Sequence, residues 1–235
     1  MTIEAIIFDF DGLLMDTERC SLASWQHVWA QHGLELDLST FWPTHSGDVS
    51  EERYGRLAEA VGPSFDRDAC HTTRLAYRDD LNASLGFRPG IEAWLRRGGE
   101  IGMRMAIASG SHREWVTTHL ARVGCLNQFE LLACGDETSG HKPDPAIYQL
   151  ALERLGVAPE SAVAVEDTPH GVLAATAAGM RCVAIPNLYP YPADFTQAAV
   201  VLESAADISI DVLLETLSGA TPQPTTHVDT GIARR

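Results

Sequence analysis

Ile6-Ile7-Phe8-Asp9-Phe10-Asp11-Gly12-Leu13-Leu14-Met15-Asp16-Thr17-Glu18 is the stretch on which the reading of this chain turns. The apolar run over 3–8, with Glu4 and Ala5 inside it, reads as a buried strand. It ends in two aspartates two residues apart, followed at once by glycine. Side chains i and i+2 of a strand point the same way, so Asp9 and Asp11 are expected on one side of the strand end. Two carboxylates that close repel, and one pKa rises unless a cation lies between them. The ends of buried strands are also where open α/β sheets place their chemistry. The stretch predicts a divalent-metal site with a carboxylate to spare for reaction. A helix cap or turn that happens to carry two acids is the plainer alternative.

Outward from this strand, short apolar runs at 105–108, 162–165 and 183–185 read as further buried parallel strands, with weaker ones at 131–133 and 200–202. Helical patterns lie between them at 91–97, 113–123, 146–155 and 171–178, and Gly124, Gly156 and Gly179 each follow one where a left-handed C-cap is wanted. Such alternation predicts a doubly wound parallel sheet covered on both faces. Residues from about 17 to 86 break the pattern: no convincing strand, and helices over 21–31, 51–61 and 69–82. Trp25, Val28 and Trp29, and Tyr54, Leu57, Ala58 and Val61, form apolar stripes that read as core. An all-helical insertion directly after the first strand reads as a lid, with Gly86-Phe87-Arg88-Pro89-Gly90 as hinge and turn. The expected organisation is a catalytic core of 1–16 and 87–217, a helical cap of 17–86, and a tail of 218–235 with little to bury, expected to be disordered.

Lys and Arg total 17 against 32 Asp and Glu, a formal net charge of −15. That field repels nucleic acids and anionic membranes, and it makes any anionic substrate depend on local positive groups. No apolar run is long enough to span a bilayer, and no basic segment with an apolar core opens the chain, so a cytoplasmic protein is expected. The five cysteines, Cys20, Cys70, Cys125, Cys134 and Cys182, are odd in number and contain no C-x-x-C pair, which fits buried free thiols in a reducing compartment.

Three other predicted strand ends carry suitable polar groups. Ser109-Gly110-Ser111 offers a hydroxyl and a permissive glycine before a helix, a combination that suits phosphate oxygens; Ser111 reads as a helix N-cap. Lys142 stands just before prolines that can start a helix. Glu166-Asp167-Thr168-Pro169 closes the 162–165 strand with adjacent acids. Asp167 is placed to complete a carboxylate cage with Asp9 and Asp11, and an oxygen-only cage with open positions is what Mg²⁺ favours.

Asp9-x-Asp11-Gly12, Ser109, Lys142-Pro143 and Glu166-Asp167, in that order, resemble the haloacid dehalogenase superfamily, in particular its branch with a helical cap that contains β-phosphoglucomutase and sugar-phosphate phosphatases. The resemblance covers about residues 3–190. It implies a Rossmann-like core with a helical cap, and a Mg²⁺-dependent phosphatase of a small phosphorylated metabolite. Asp9 would be the nucleophile that forms an aspartyl-phosphate, and Asp11 the acid and then the base. Asp9, the Asp11 carbonyl, Glu166 and Asp167 would hold Mg²⁺, while Ser109, Gly110 and Lys142 would hold the phosphoryl oxygens. A monomer or weak homodimer is expected. Aligned on Gly47, the chain reads Asp48 where phosphosugar-binding members carry a cap arginine, which counts against a mutase; His45, Asp48 and Arg53 are the candidate cap contacts. A sugar or polyol monophosphate suits a cap poor in cations. Of the rivals, a haloacid dehalogenase needs no metal cage, and a phospho-receiver module places its aspartate on a middle strand and lacks the insertion.

Overall fold

A computed structural model describes residues 2–41, 49–187 and 193–219. The chain divides into two compact units, Met1–Leu14 with Phe87–Arg235, and Met15–Gly86.

The first unit is built on six strands: β1 (Ala5–Phe8), β2 (Arg104–Ser109), β3 (Leu131–Cys134), β4 (Ala162–Glu166), β5 (Arg181–Ala184) and β6 (Val200–Val201). Their order is β3-β2-β1-β4-β5-β6 and every pairing is parallel. The strands are short and rich in Ile, Val and Ala because both faces are covered; every residue of β1 and β4 is buried. Strand order reverses between β1 and β4, the place where a sheet of this kind opens a crevice at its carboxyl edge. Register sets what meets there: Phe8 lies opposite Ile107 on one side and Val165 on the other, so Asp9, Ser109 and Glu166 emerge along one edge.

The expected strands and helices are all present, with ends shifted by a few residues. The sheet is flanked by α4 (Ile91–Glu100), α5 (Arg113–Arg122), α6 (Ala146–Leu155), α7 (Pro169–Ala177) and α8 (Ile210–Gly219), numbered after the helices of the second unit described next. Helix α8 was not expected. Its buried Ile210, Leu213 and Leu217 form one stripe, and it is tied to α4 by Arg97 on Asp211 and by the Trp94 indole N–H on the Ile208 carbonyl. It also carries the folded chain past Leu217 to Gly219, so the expected tail boundary at 218 is two residues too early; the rest of that tail, 220–235, lies outside the described residues.

The second unit is helical: α1 (Thr17–Gln31), α2 (Ser50–Val61) and α3 (Arg67–Ala83), with a 3₁₀ turn at Leu38–Thr40. Asp16 and Asp66 cap α1 and α3 by accepting from backbone N–H groups of the first turn. Trp25, Val28, Phe41, Tyr54, Leu57 and Cys70 form its core, with Trp29 and Val61 packed against it. Arg74, unremarked in the sequence, is buried there: its Nε donates to the Tyr54 hydroxyl at 2.7 Å and its guanidinium lies 4.5 Å from the Trp25 ring centroid.

Candidate active site

Asp9 continues the ladder one residue past β1, its N–H donating to the Val165 carbonyl at 2.9 Å. Its buried carboxylate accepts from Lys142, whose Nζ reaches Asp9 Oδ1 at 2.5 Å, Glu166 Oε1 at 2.5 Å and the Ala108 carbonyl at 3.0 Å. An ammonium has three protons, and three acceptors from the ends of β1, β4 and β2 take them. Burial pushes the Asp9 carboxyl well above the usual range, with Lys142 opposing. The same carboxylates outweigh the burial of Lys142 and hold its ammonium pKa above the ordinary value. The lysine is therefore a fixed positive charge.

Glu166 is held on every side. Tyr148, in the first turn of α6, donates its hydroxyl to Oε1 at 2.7 Å, and the Asp167 N–H donates to Oε2 at 3.1 Å. Behind it stands Gly171 in the first turn of α7, where a Cβ would lie 1.9 Å from the Glu166 carboxyl carbon. Asp167 is buried and faces Gly12, where a Cβ would lie 2.2 Å from Asp167 Oδ2 and where φ is +77°. Only glycine meets both conditions there.

Oxygen atoms of Asp9, Glu166 and Asp167 lie within 4.8 Å of one another, and all three residues are buried. Three carboxylates face one ammonium, so the cluster carries surplus negative charge and an oxygen-only donor set. Both properties fit a hard divalent cation such as Mg²⁺.

Asp9 and Asp11 come to the same edge of the sheet, close enough for the Asp11 charge to act on Asp9, and their carboxylates have different hydrogen-bond partners. Asp11 Oδ2 accepts from Ser111 Oγ at 2.6 Å and Ser109 Oγ at 3.4 Å, and Oδ1 accepts from the Trp115 indole N–H at 2.9 Å. Ser111 is thus no helix cap; the residue at the cap of α5 is His112, and the Arg113 N–H is met by Asp136. Ser109 is fully buried and its hydroxyl also accepts from the Ser111 N–H at 3.0 Å, while Gly110 is exposed at the end of β2.

The structure brings Asp9, Asp11, Ser109, Lys142, Glu166 and Asp167 to one edge of the sheet. Arg53 is engaged inside the helical unit, donating to the Phe41 carbonyl at 3.0 Å with its guanidinium 4.0 Å from the Phe41 ring centroid. His45 and Asp48, with Trp42, Pro43 and Gly47, lie outside the described residues. Sequence reasoning missed Tyr148, Ser111 and Trp115. Tyr148 sits at a core position of its helix, and the signal that could have found it is that a buried tyrosine hydroxyl needs a partner.

Residues 6–185 match the haloacid dehalogenase-like hydrolase family. The chain belongs to that family. It is 33% identical to YhcW of Bacillus subtilis (strain 168) over 216 residues, which cover 92% of this chain and 98% of that protein. It is 29% identical to the phosphorylated carbohydrates phosphatase of Thermotoga maritima over 222 residues, 92% of this chain and all of that one. Among solved structures, a variant of CbbY from Rhodobacter sphaeroides in complex with xylulose-(1,5)bisphosphate superposes with a TM-score of 0.68 at 31% identity, covering 88% of this chain and 96% of that one. A family hydrolase from Deinococcus radiodurans with bound phosphate and sodium gives a TM-score of 0.75 at 27% identity, covering 94% of this chain and 99% of that one. The chain is an enzyme of this hydrolase family, of the phosphatase kind. Among the described residues no helix is long and apolar enough to cross a membrane.

Proposed function

We propose that this enzyme hydrolyses a small phosphorylated metabolite, a sugar or polyol monophosphate, through an aspartyl-phosphate on Asp9. The observation that carries the reading is the Asp9–Lys142–Glu166 contact, in which a buried carboxylate at the end of the central strand is paired with a fixed cation. The substrate class is supported by relatives named for phosphorylated carbohydrates or crystallised with a sugar bisphosphate.

An Asp9 oxygen attacks phosphorus, the P–O bond to the sugar breaks, and the leaving oxygen takes a proton from Asp11. Water then attacks the aspartyl-phosphate, gives its proton to Asp11 and releases inorganic phosphate with Asp9 restored. Ser111 and Trp115 hold both oxygens of Asp11 and so set its direction. Ser109 and the exposed backbone of Gly110 hold the phosphoryl oxygens, and Lys142, held by its three acceptors, supplies fixed positive charge beside the place where negative charge develops, turning a proton toward the phosphoryl group when Asp9 is esterified. Asp9, the Asp11 carbonyl, Glu166 and Asp167 would hold Mg²⁺, which supplies electrostatic neutralisation of the phosphoryl group. In this reading the helical insertion, residues 17–86, is the cap, and five buried free thiols support a reducing, cytoplasmic setting.

Phosphate release from a panel of sugar, polyol and nucleoside monophosphates, with Mg²⁺ and with chelator, tests this. Mg²⁺-dependent release that disappears in Asp9→Asn is expected. Interconversion of hexose phosphates without net phosphate release would replace hydrolysis by mutase action.

A further inference from the structure

Arg88 stands where the chain re-enters the sheet unit, and its contacts point away from solvent chemistry and toward the site. Its backbone N–H donates to the Leu14 carbonyl at 2.8 Å, so the outgoing and returning segments run side by side. Its guanidinium donates from Nη1 to the carbonyls of Gly12 (2.6 Å) and Ile185 (3.1 Å), and from Nη2 to that of Pro186 (3.0 Å). Gly12 follows the end of β1, and Ile185 and Pro186 follow the end of β5. In the sheet β4 lies between those two strands, so Arg88 bridges over the end of the strand that carries Glu166 and Asp167.

The bridge bears on a place with no slack. The Gly12 carbonyl accepts a second bond from Asn187 Nδ2 at 3.1 Å, so two donors fix that peptide. The same Gly12 lies against Asp167 closely enough that a Cβ would overlap its carboxylate. On the far side the Ile185 N–H donates to the Glu166 carbonyl at 2.7 Å. A shift of the Gly12 peptide therefore moves the turn of residues 9–12 relative to Asp167. A planar guanidinium with donors in a fixed fork can hold carbonyls from two strand exits at once; a lysine ammonium, a point charge on a flexible stem, does not fix that geometry.

We propose that Arg88 is a positioning residue for the carboxylate cluster: by tying the exit of β1 to the exit of β5 it sets the distance between the 9–12 turn and Asp167. Its consequence for turnover rests on the phosphatase reading above; its structural action does not.

The test compares wild type, Arg88→Met, Arg88→Lys and Asn187→Ala by three measurements: amide hydrogen exchange across residues 9–14, Mg²⁺ affinity by calorimetry, and kcat and KM on the best substrate of the panel. In Arg88→Met, exchange in the turn accelerates while the rest of the sheet unit keeps its protection. Mg²⁺ affinity and kcat fall by roughly 10- to 100-fold, the range for groups that orient metal ligands, with KM little changed. Added guanidinium ion restores part of the lost turnover, and Arg88→Lys lies between wild type and Arg88→Met. Unchanged exchange in the turn overturns the proposal, as does acceleration spread evenly over the unit with no rescue. If Arg88→Met does not fold, Arg88→Lys and Asn187→Ala decide: local loosening in either supports it, and wild-type behaviour in both overturns it. If wild type neither binds Mg²⁺ nor turns over, the phosphatase reading fails, and the exchange data still decide the placement.

Discussion

At the scale of single residues, the site depends on atoms that a sequence does not mark as chemical. Gly171 is one: any side chain there collides with the Glu166 carboxyl group. Gly171→Ala is expected to cost about 1–3 kcal/mol of stability through overpacking and to abolish most turnover, because Glu166 must leave its place on Lys142. Urea unfolding together with phosphate release checks both halves, and wild-type values would refute the close approach. Tyr148 is the other. Its hydroxyl donates to Glu166, and burial, with the Glu166 charge adding to it, raises the phenol pKa well above the ordinary value, so it stays a donor. Tyr148→Phe removes one donor and leaves the ring; if Glu166 holds Mg²⁺ as proposed, kcat is expected to drop roughly 10-fold, as for groups that orient a metal ligand, with KM nearly constant.

At the scale of elements, the sheet edge is held from outside by charged contacts between neighbouring pieces. Glu137, just past β3, accepts from Arg113 of α5 at 2.7 Å, Arg154 of α6 at 2.8 Å and the Cys134 N–H at 2.9 Å. Cys134, Asp136 and Glu137 are close enough together to suggest a second metal site, but these bonds occupy the Glu137 carboxylate. Burial pushes the Glu137 pKa up; the donors, Arg154 first, outweigh it and hold the carboxyl below its usual range. A depressed folded-state pKa means stabilisation fully present above the unfolded value and lost as pH falls through the folded one. Glu137→Gln is therefore expected to lower unfolding free energy by about 1 kcal/mol at neutral pH, since both arginine partners are partly exposed to solvent. The gap to wild type should narrow as pH falls below the ordinary carboxylate range and through the lowered Glu137 pKa, where the wild-type carboxyl is protonated too. A gap independent of pH would show that the network acts by shape alone.

At the scale of the whole molecule, the sheet unit and the helical unit each bury their own core, and all five cysteines are buried free thiols. Burial pushes Cys125 and Cys134 up to about 11 and raises Cys20, Cys70 and Cys182 as well. The reactive thiolate is scarce at every position. The folded enzyme at about pH 8 is expected to resist alkylation, and the unfolded chain to take up five equivalents. Fast labelling of the native protein, read by intact mass, would contradict this packing.

The chain's own pattern determined the parallel sheet, the helical insertion after β1 and the order of acids, serine and lysine along the strand ends. Apolar runs too short for helices and glycines after helical stretches are local signals, and strand ends follow from them. Asp9, Lys142 and Glu166 were legible because each stands at such an end. Helix α8 was legible in principle from Ile210, Leu213 and Leu217 and from Ser209, whose hydroxyl accepts from the Val212 N–H, but it follows a strand of only two residues. Only the tertiary structure decided that Asp9 and Asp11 have separate partners, that Tyr148 and Gly171 shape Glu166, and that Arg88 spans two strand exits. Those facts depend on contacts between residues far apart in the chain, such as the 133 positions from Asp9 to Lys142, and such contacts are fixed by register and packing rather than by local spacing.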